Sequence, residues 1–269
     1  MAHGVIVKSL KYHRYSATGN FLLVSDCREI DPSDQSDEFW AQLCEKNNAD
    51  GIVLIKPSSV AEVKMEYRNR DGGEVDLCGN GLRALTYHLR NQLKEGEGTV
   101  DIETNKGRYT GQIEKDEVKV QMTELYDIGT IDLTSFYDFK EGLYLNTGVP
   151  HCVFLTDDVD KIAVDERGKQ ISKNRRFKKE SNVNFVEIIK DNELKIRTYE
   201  RGVEKETLSC GTGAMACAVA MAKLKSWKNN CLIHTKGGDL FTEYDENFDH
   251  MSLRGQVDHL SQGEEDLPI

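Results

Sequence analysis

Two stretches of sequence decide the architecture: DLCGNGLRAL at residues 76–85 and LSCGTGAMACAVA at residues 208–220. Each contains Cys-Gly-x-Gly, with Cys78 in the first and Cys210 in the second, and each continues into a helix-forming apolar run. A cysteine at a loop-to-helix junction lies in the positive field of the helix N-terminus, where backbone N–H groups are unpaired. Such a position lowers a thiol pKa and makes thiolate available near neutral pH. The pattern therefore predicts two reactive cysteines, each at the start of its own helix.

The surroundings of the two cysteines repeat along the chain. Tyr67 precedes Cys78 by eleven positions and Tyr199 precedes Cys210 by the same number, with the charged segments YRNRDGGEVDLC and YERGVEKETLSC between them. Each helix is followed by strand-like sequence that contains Lys-Gly. One copy alone is equally well explained by a helix-capping turn around a small buried residue. Two copies in matching contexts favour a pair of active cysteines in two homologous halves.

The order of strand-like and helix-like segments predicts an α+β fold. We expect two pseudo-symmetric domains from an internal duplication, each with a mixed or antiparallel sheet wrapped around a central helix. The first domain is expected to cover residues 1–122 and carry Cys78, and the second to cover residues 123–255 and carry Cys210. Residues 256–269 are expected to form a C-terminal strand that packs back on the first domain.

Further helices are indicated by capping signals and apolar spacing. Residues 30–47 begin with Asp and Ser, which are common helix caps, and continue with an amphipathic pattern. The stretch at 81–94 carries leucines on one face, and residues 159–180 are compatible with a helix. The segment EEDLPI at 264–269 is interpreted as a polar tail.

Composition and charge argue against several classes of function. The chain has 269 residues, 38% hydrophobic content and a net charge of −11. These values suit a globular protein and disfavour a nucleic-acid binder, because phosphate backbones are bound by basic surfaces. We find no signal peptide and no segment long enough to span a membrane. No glycine motif for a nucleotide is present, so we expect no cofactor.

The cysteine pattern points to a reduced protein. The chain holds seven cysteines, an odd number, with no Cys-x-x-Cys pair, which argues against a redox dithiol and a zinc site. We therefore expect no metal and a cytoplasmic location. Cys217 falls two helical turns after Cys210 and is assigned to the core. Cys27, Cys44 and Cys231 are assigned to the core as well.

Two matched thiols suggest the inversion of a stereocentre. One base removes a proton from one face of the carbon while an acid delivers a proton to the other face, and two thiol/thiolate groups can exchange these roles. An unperturbed thiol pKa of about 8.5 lies close enough to neutrality to be tuned for either role. A single cysteine nucleophile, as in a cysteine hydrolase, would leave the second motif unexplained.

Each thiol needs an ionisable neighbour, and His151 and Glu200 are the best candidates, one for each thiol. The alternative for His151 is an ordinary hydrogen-bonded loop histidine. The alternative for Glu200 is an exposed carboxylate at a strand end, paired with Arg201.

A carbanion next to a carboxylate has to be stabilised. Backbone N–H groups at the two helix starts, at Gly79-Asn80 and Gly211-Thr212, are expected to bind the carboxylate as its charge grows. The residues expected to hold the polar ends of an amino acid are Asn20, Asn69, Asn182 and Arg201.

Taken together, these motifs make the chain resemble the diaminopimelate epimerases, a family of cofactor-independent amino-acid epimerases. The resemblance covers KYHRYSATGNFLLVSD, NADGIVLI, YRNRDGGEVDLCGNGLRAL, NTGVPHCVF, SNVNFVEI and YERGVEKETLSCGTGA. It implies an isomerase with two pseudo-symmetric domains that close over a small-molecule substrate. That substrate would be LL-diaminopimelate, converted to the meso form on the bacterial route to lysine and peptidoglycan. Homodimers are usual in such enzymes, so a homodimer is expected.

The resemblance also implies residue roles. It makes Cys78 and Cys210 the two acid/base groups. It pairs His151 with Cys78, and Glu200 with Cys210. The implied substrate contacts are Asn20, Asn69, Gly79, Asn80, Asn182, Glu200, Arg201, Gly211 and Thr212.

Two positions depart from the family's pattern. Val149 stands where many members have asparagine before Pro-His, and Asn20 is followed by Phe21 where many members have aspartate. Both departures concern recognition of the distal end of the substrate. The alternatives are a proline-type racemase of another amino acid, which would not need two recognition sites for amino-acid ends, and a non-catalytic binding protein on the same scaffold, which would tolerate loss of a thiol.

Overall fold

The computed structural model describes residues 8–122, 131–133, 138–139, 141–175, 177 and 180–267. Its elements, in chain order, are β1 (Ser9–Ala17), β2 (Asn20–Asp26), α1 (Asp37–Lys46), β3 (Gly51–Lys56), β4 (Val63–Asn69), β5 (Glu74–Val75), α2 (Gly79–Tyr87), β6 (Val100–Thr104), β7 (Gly107–Glu114), β8 (Glu117–Met122), β9 (Ile131–Asp132), β10 (Gly142–Asn146), β11 (Pro150–Leu155), α3 (Val164–Ser172), β12 (Asn182–Lys190), β13 (Glu193–Glu200), β14 (Lys205–Thr207), α4 (Gly211–Lys225), β15 (Asn230–Thr235), β16 (Gly238–Tyr244) and β17 (Met251–Asp266). In the part of the chain that the structure describes, no helix is long and apolar enough to cross a membrane.

The chain divides into two compact units. Unit 1 consists of Met1–Val118 and Val257–Ile269, and unit 2 consists of Lys119–Gln256. The domain boundary expected from the sequence, between residues 122 and 123, stays a prediction.

Unit 1 is built around a mixed sheet. Strands β1 and β2 form an antiparallel hairpin, and β2 pairs in parallel with β3 after α1. Strand β4 pairs antiparallel with β3 and β5, and pairs in parallel with β6 after α2. Strands β6 and β7 close the series as an antiparallel pair.

Unit 2 repeats every one of these steps. Strands β10 and β11 are antiparallel, and β11 pairs in parallel with β12 after α3. Strand β13 pairs antiparallel with β12 and β14, and pairs in parallel with β15 after α4. Strands β15 and β16 are antiparallel. This step-by-step match confirms the α+β fold and the internal duplication predicted from the sequence.

The two helices that follow the cysteine motifs lie at the centre of their units. Helix α2 contacts strands β1, β2, β3, β4 and β7, and helix α4 contacts β10, β11, β12, β15 and β16. Every residue of α4 from Gly213 to Met221 is buried. A helix that is apolar on all sides is stable only when it is enclosed, which explains why each sheet curls around its helix. Cys217 is fully buried in α4, as predicted. Cys44 in α1, Cys231 in β15 and Cys27, which directly follows β2, are also buried, as predicted.

The two outer helices lie within the segments predicted for them. Helix α1 lies within the predicted segment 30–47, and the Ser36 hydroxyl accepts a hydrogen bond from the Phe39 N–H, which caps its first turn. Helix α3 lies within the predicted segment 159–180, of which residues 176, 178 and 179 lie outside the described residues. The predicted helix at 81–94 is α2 followed by a π-helical turn, His88–Gln92.

The predicted polar tail at 264–269 is wrong over its first three residues. Glu264, Glu265 and Asp266 belong to β17 and pair antiparallel with Lys11, Leu10 and Ser9 of β1. A lone β1 edge would leave a row of backbone donors and acceptors unpaired, and backbone pairing does not require apolar side chains. Residues 268 and 269 lie outside the described residues.

Candidate active site

Cys78 occupies the N-cap of α2. Its backbone is extended, with φ −137° and ψ 113°, and its Sγ accepts a hydrogen bond of 3.3 Å from the Gly81 N–H. A Cβ on residue 81 would lie 3.6 Å from this sulfur and 3.2 Å from Val53 Cγ2. Glycine at position 81 therefore allows the first turn of the helix to pack against both the sulfur and strand β3. The thiol itself is partly exposed.

Two of the predicted substrate-binding asparagines are held together beside Cys78. Asn80 Nδ2 donates to Asn20 Oδ1 at 3.2 Å, and Asn20 Nδ2 donates to Asp50 Oδ2 at 3.0 Å. Asn80 Oδ1 accepts from Arg83 Nη2 at 2.8 Å. Because a carboxylate only accepts and a guanidinium only donates, Asp50 and Arg83 determine which way both amides point.

Arg83 is a functional candidate that the sequence analysis missed. It is fully buried in α2, and its guanidinium also donates to Thr18 Oγ1 at 2.9 Å and to the Ala17 carbonyl at 3.3 Å. Burial lowers its pKa to about 10, so the side chain remains a cation at neutral pH, and it lies close enough to Cys78 for their charges to interact. An arginine inside an otherwise apolar helix stretch is the signal that could have identified it.

The remaining predicted residues of unit 1 lie at the edges of this group. Gly79 is the buried first residue of α2. Asn69 is exposed at the end of β4, and its backbone accepts from the Gly72 N–H and donates to the Gly73 carbonyl. These bonds close the Asp-Gly-Gly turn before Cys78, and the described hydrogen bonds do not join Asn69 to Asn20 or Asn80.

Cys210 occupies the N-cap of α4 with nearly the same backbone conformation, φ −129° and ψ 110°. It is only 6% exposed, its Sγ lies 3.5 Å from Thr212 Oγ1, and the Glu200 carboxylate is within hydrogen-bond reach. Burial raises the pKa of the Cys210 thiol well above its ordinary value, and the Glu200 charge raises it further, whereas the Thr212 hydroxyl acts in the opposite direction. The Gly213 backbone N–H in the first turn of α4 also lowers this pKa, but burial outweighs it, so the low thiol pKa predicted from the sequence is wrong for Cys210.

Glu200 is held at the end of β13, where its Oε1 accepts a 2.6 Å hydrogen bond from Thr207 Oγ1. Arg201 follows it, and its backbone N–H donates to Asn182 Oδ1 at 3.0 Å while its Nη1 donates to the Glu180 carbonyl at 2.9 Å. The structure thus brings Glu200, Arg201 and Asn182 to one end of the β12–β13 pair. Glu200 lies beside Cys210, the cysteine with which the resemblance pairs it.

His151 is buried on β11 with hydrogen-bond partners on both ring nitrogens. Nε2 lies 3.1 Å from Thr212 Oγ1, and Nδ1 lies 3.0 Å from Asn184 Nδ2. Burial, with a smaller contribution from the Arg201 charge, lowers the pKa of His151 to about 3, so the ring is neutral at neutral pH. His151 and Cys78 belong to different units, and their pairing stays a prediction.

Asn184 is a second residue that the sequence analysis missed. It is fully buried, and it accepts from Thr198 Oγ1 at 3.0 Å while donating to His151 and to the Cys152 carbonyl. In SNVNFVEI, Asn182 and Asn184 are two positions apart on a strand, so their side chains share one face. That spacing was the available signal.

Comparison with known proteins finds relatives that match the sequence of both units. The family profile described as diaminopimelate epimerase matches residues 13–128 and 143–260. A diaminopimelate epimerase of Chlamydia muridarum is 36% identical over 262 residues, covering 94% of this chain and 94% of the relative. Among solved structures, a phenazine biosynthesis protein of the PhzF family from Bacillus anthracis is similar with a TM-score of 0.71 and 16% identity, over 96% of this chain and 99% of that chain.

A second solved structure is a hydroxyproline epimerase from Agrobacterium vitis, with bound trans-4-hydroxy-L-proline. It is similar with a TM-score of 0.69 and 13% identity, over 97% of this chain and 92% of that chain. At these identities the two structural likenesses show the shared fold.

Proposed function

The chain belongs to the diaminopimelate epimerase family, and on that premise we propose that it is an isomerase that interconverts LL- and meso-diaminopimelate without a cofactor. The observation that carries the proposal is the pair of matched helix starts, each with a cysteine at the N-cap. In this proposal the product serves the bacterial route to lysine and peptidoglycan precursors.

The proposed reaction is a proton exchange at the α-carbon. A thiolate removes the α-proton, the electron pair of the C–H bond remains on carbon as a carbanion, and the second thiol delivers its proton to the opposite face. The environment of Cys210 favours its protonated form, because burial and Glu200 both raise its thiol pKa. We therefore assign Cys210 as the resting proton donor and Cys78 as the resting base. After one turnover Cys78 holds the proton and Cys210 is the thiolate, and proton exchange with solvent restores the resting form.

The carbanion is proposed to be stabilised by the two helix N-termini. Backbone N–H groups at Gly79-Asn80 and Gly211-Thr212 are placed at the first turns of α2 and α4. Such donors bind a carboxylate through hydrogen bonds and the helix dipole, and their interaction strengthens as charge moves onto the carboxylate oxygens.

The polar ends of the substrate are proposed to be held by amide and guanidinium groups. The proposed contacts are Asn20, Asn69, Asn80, Asn182, Glu200, Arg201 and Thr212. The bonds from Asp50 to Asn20 and from Arg83 to Asn80 support this role, because they orient both amides before substrate arrives. Val149 and Phe21 remain the positions at which recognition of the distal end differs from the usual family pattern.

One experiment tests both the substrate and the two-base chemistry. Purified, reduced protein is incubated with LL-diaminopimelate in deuterated water, and the stereoisomers are separated at low conversion and weighed by mass spectrometry. We expect meso product that carries solvent deuterium at the inverted carbon, and remaining substrate with almost none. Product that keeps the substrate hydrogen would contradict two separate bases.

The same assay distinguishes the alternatives. Racemisation of proline or hydroxyproline without turnover of diaminopimelate would indicate a proline-type racemase. Saturable binding of diaminopimelate without any isomerisation would indicate a binding protein.

We also propose a homodimer in a reduced, cytoplasmic setting. The dimer is supported by the family, and the setting by an odd number of cysteines without a paired motif. Light scattering coupled to size-exclusion chromatography measures the mass, for which we expect twice the 30.4 kDa of the chain.

A further inference from the structure

A continuous line of hydrogen bonds in unit 2 ends at the Cys210 sulfur. Thr198 Oγ1 lies 3.0 Å from Asn184 Oδ1, and Asn184 Nδ2 lies 3.0 Å from His151 Nδ1. His151 Nε2 lies 3.1 Å from Thr212 Oγ1, which lies 3.5 Å from Cys210 Sγ. Three of the five side chains, those of Thr198, Asn184 and His151, are almost completely enclosed, so water does not compete for the bonds among these three.

One acceptor determines the direction of every bond in this line. Asn184 Nδ2 also lies 3.1 Å from the Cys152 carbonyl oxygen, which can only accept. The amide nitrogen of Asn184 therefore faces Cys152 and His151, and the amide oxygen accepts from the Thr198 hydroxyl. Since Nδ1 of His151 receives a hydrogen bond, it carries no proton, and the neutral ring has its proton on Nε2.

The remaining two bonds follow from that tautomer. The Nε2–H of His151 donates to Thr212 Oγ1, which leaves the hydroxyl hydrogen of Thr212 to be donated to Cys210 Sγ. A donor aimed at sulfur stabilises the thiolate more than the thiol. It therefore opposes the burial and the Glu200 charge that favour the protonated form of Cys210.

We propose that Asn184 is a positioning residue that holds His151 as the Nε2–H tautomer and thereby turns the Thr212 hydroxyl proton toward the Cys210 sulfur. The packing supports this role, because a Cβ on Gly213 would lie only 2.5 Å from Asn184 Oδ1. The amide is thus clamped beneath the first turn of α4. The consequence for turnover rests on the proposed function, whereas the tautomer and the reactivity of Cys210 do not.

The tautomer of His151 can be read directly by NMR of protein labelled with ¹⁵N-histidine. We expect a protonated Nε2 and an unprotonated Nδ1 for His151 in the wild-type protein at neutral pH. A protonated Nδ1 would overturn the proposal, and this measurement needs no variant to fold.

The effect of these hydrogen bonds on the Cys210 sulfur is tested by alkylation with iodoacetamide in a Cys78→Ala background. Peptide mapping gives the alkylation rate of Cys210 as a function of pH. We expect Asn184→Leu and Thr212→Val each to lower the alkylation rate at a fixed pH by roughly tenfold, since each removes or misdirects the hydroxyl donor to the charged sulfur. In the double variant the two effects should not multiply, because both act through the same hydroxyl.

Thr242→Val is the matched control. Thr242 is also fully buried in unit 2, and its hydroxyl donates to the Cys231 carbonyl, outside the line of bonds. We expect it to leave both the His151 tautomer and the alkylation rate of Cys210 unchanged. Fully multiplicative effects of Asn184→Leu and Thr212→Val would overturn the proposal even if the protein epimerised diaminopimelate.

Discussion

The two cysteine sites share a backbone and differ in the groups around it. Cys78 is the N-cap of α2 and Cys210 is the N-cap of α4, the central helices of the two units. The φ and ψ angles of the two cysteines agree within about ten degrees. Cys78 is partly exposed and has the Arg83 cation nearby, whereas Cys210 is buried beside the Glu200 carboxylate.

The difference can be followed position by position. Five residues after each cysteine, unit 1 has buried Arg83 and unit 2 has buried Met215. The strand side chain that meets the helix glycine is Val53 in unit 1 and Asn184 in unit 2. The duplication therefore kept the backbone that presents each thiol, while the polar support moved to different positions. In the proposed reaction, two identical side chains are thereby prepared for opposite halves of one proton exchange.

The largest effect should come from removing either thiol. We expect Cys78→Ala and Cys210→Ala each to lower epimerase turnover by about 10²–10⁴-fold, because each loses one acid/base group. Cys217→Ala is the control, since this cysteine is buried two turns further along α4, and it should stay within a few-fold of wild type. Steady-state kinetics measures the turnover of each variant. If Cys78→Ala or Cys210→Ala kept more than about a tenth of wild-type turnover, the proposal that both thiols are needed would be contradicted.

The difference between the sites should appear directly as unequal reactivity. At pH 7 we expect iodoacetamide to modify Cys78 at least about tenfold faster than Cys210, because Cys210 is buried and its thiol pKa is raised. Peptide mapping over time gives both rates in one sample. Glu200→Gln removes one cause of the raised pKa and should narrow the gap, and equal rates in the wild-type protein would contradict the contrast.

Replacing the buried Arg83 of unit 1 by methionine, the residue at the matching position of unit 2, should have a moderate effect on stability. Arg83→Met removes the buried guanidinium that donates to Asn80 and Thr18, so we expect the free energy of unfolding to fall by about 1–3 kcal/mol. Chemical denaturation measures it. Met215→Leu, a volume-conserving change at the matching position, should cost less than about 1.5 kcal/mol. Equal stability of Arg83→Met and wild type would show that the guanidinium does not organise the site.

The last effect, which is absent at neutral pH and grows as the pH falls, concerns a feature that the units share, a buried neutral histidine. Burial lowers the pKa of His151 to about 3 and of His88 to about 4. The unfolded histidines titrate near 6.5, so below that pH the unfolded chain binds more protons than the folded one. Stability should therefore fall with falling pH, by up to about 1.4 kcal/mol per pH unit for each histidine, until the folded pKa is reached.

The test of this contribution is denaturation at pH 7, 6, 5 and 4 for His88→Gln and His151→Gln. Each variant should show a shallower loss of stability than wild type over this range. Slopes that match wild type in both variants would assign the acid sensitivity to other groups.

Much of the fold was predictable because it depends on local and repeated signals. The Cys-Gly-x-Gly stretches indicated two helix starts, the matched tyrosine spacing indicated a duplication, and Ser36 indicated the start of α1. The burial of Cys217 followed from helical spacing. These features are decided by a few neighbouring residues, and such residues are visible in a sequence.

The support of the site was not predictable in the same way. Arg83 reaches Thr18 across 65 positions of sequence, and Asn184 reaches His151 across 33. The raised pKa of Cys210 depends on how completely the fold encloses it, which the helix-start argument does not contain. The strand at 264–266 depends on an edge provided by β1, more than 250 residues earlier. In each case the deciding partner comes from a distant segment.

The course of strand β17 has a consequence during synthesis of the protein. Strand β1 ends at Ala17, and the part of β17 that pairs with it begins at Val257, 240 positions later. At translation rates of about 5–20 residues per second, the β1 edge waits roughly 12–48 s on the ribosome for its partner. An exposed edge strand is a template for pairing with another chain, so nascent chains on neighbouring ribosomes can compete for this edge. Chaperone protection of the first half of the chain is therefore most needed in that interval, before residues 257–266 emerge.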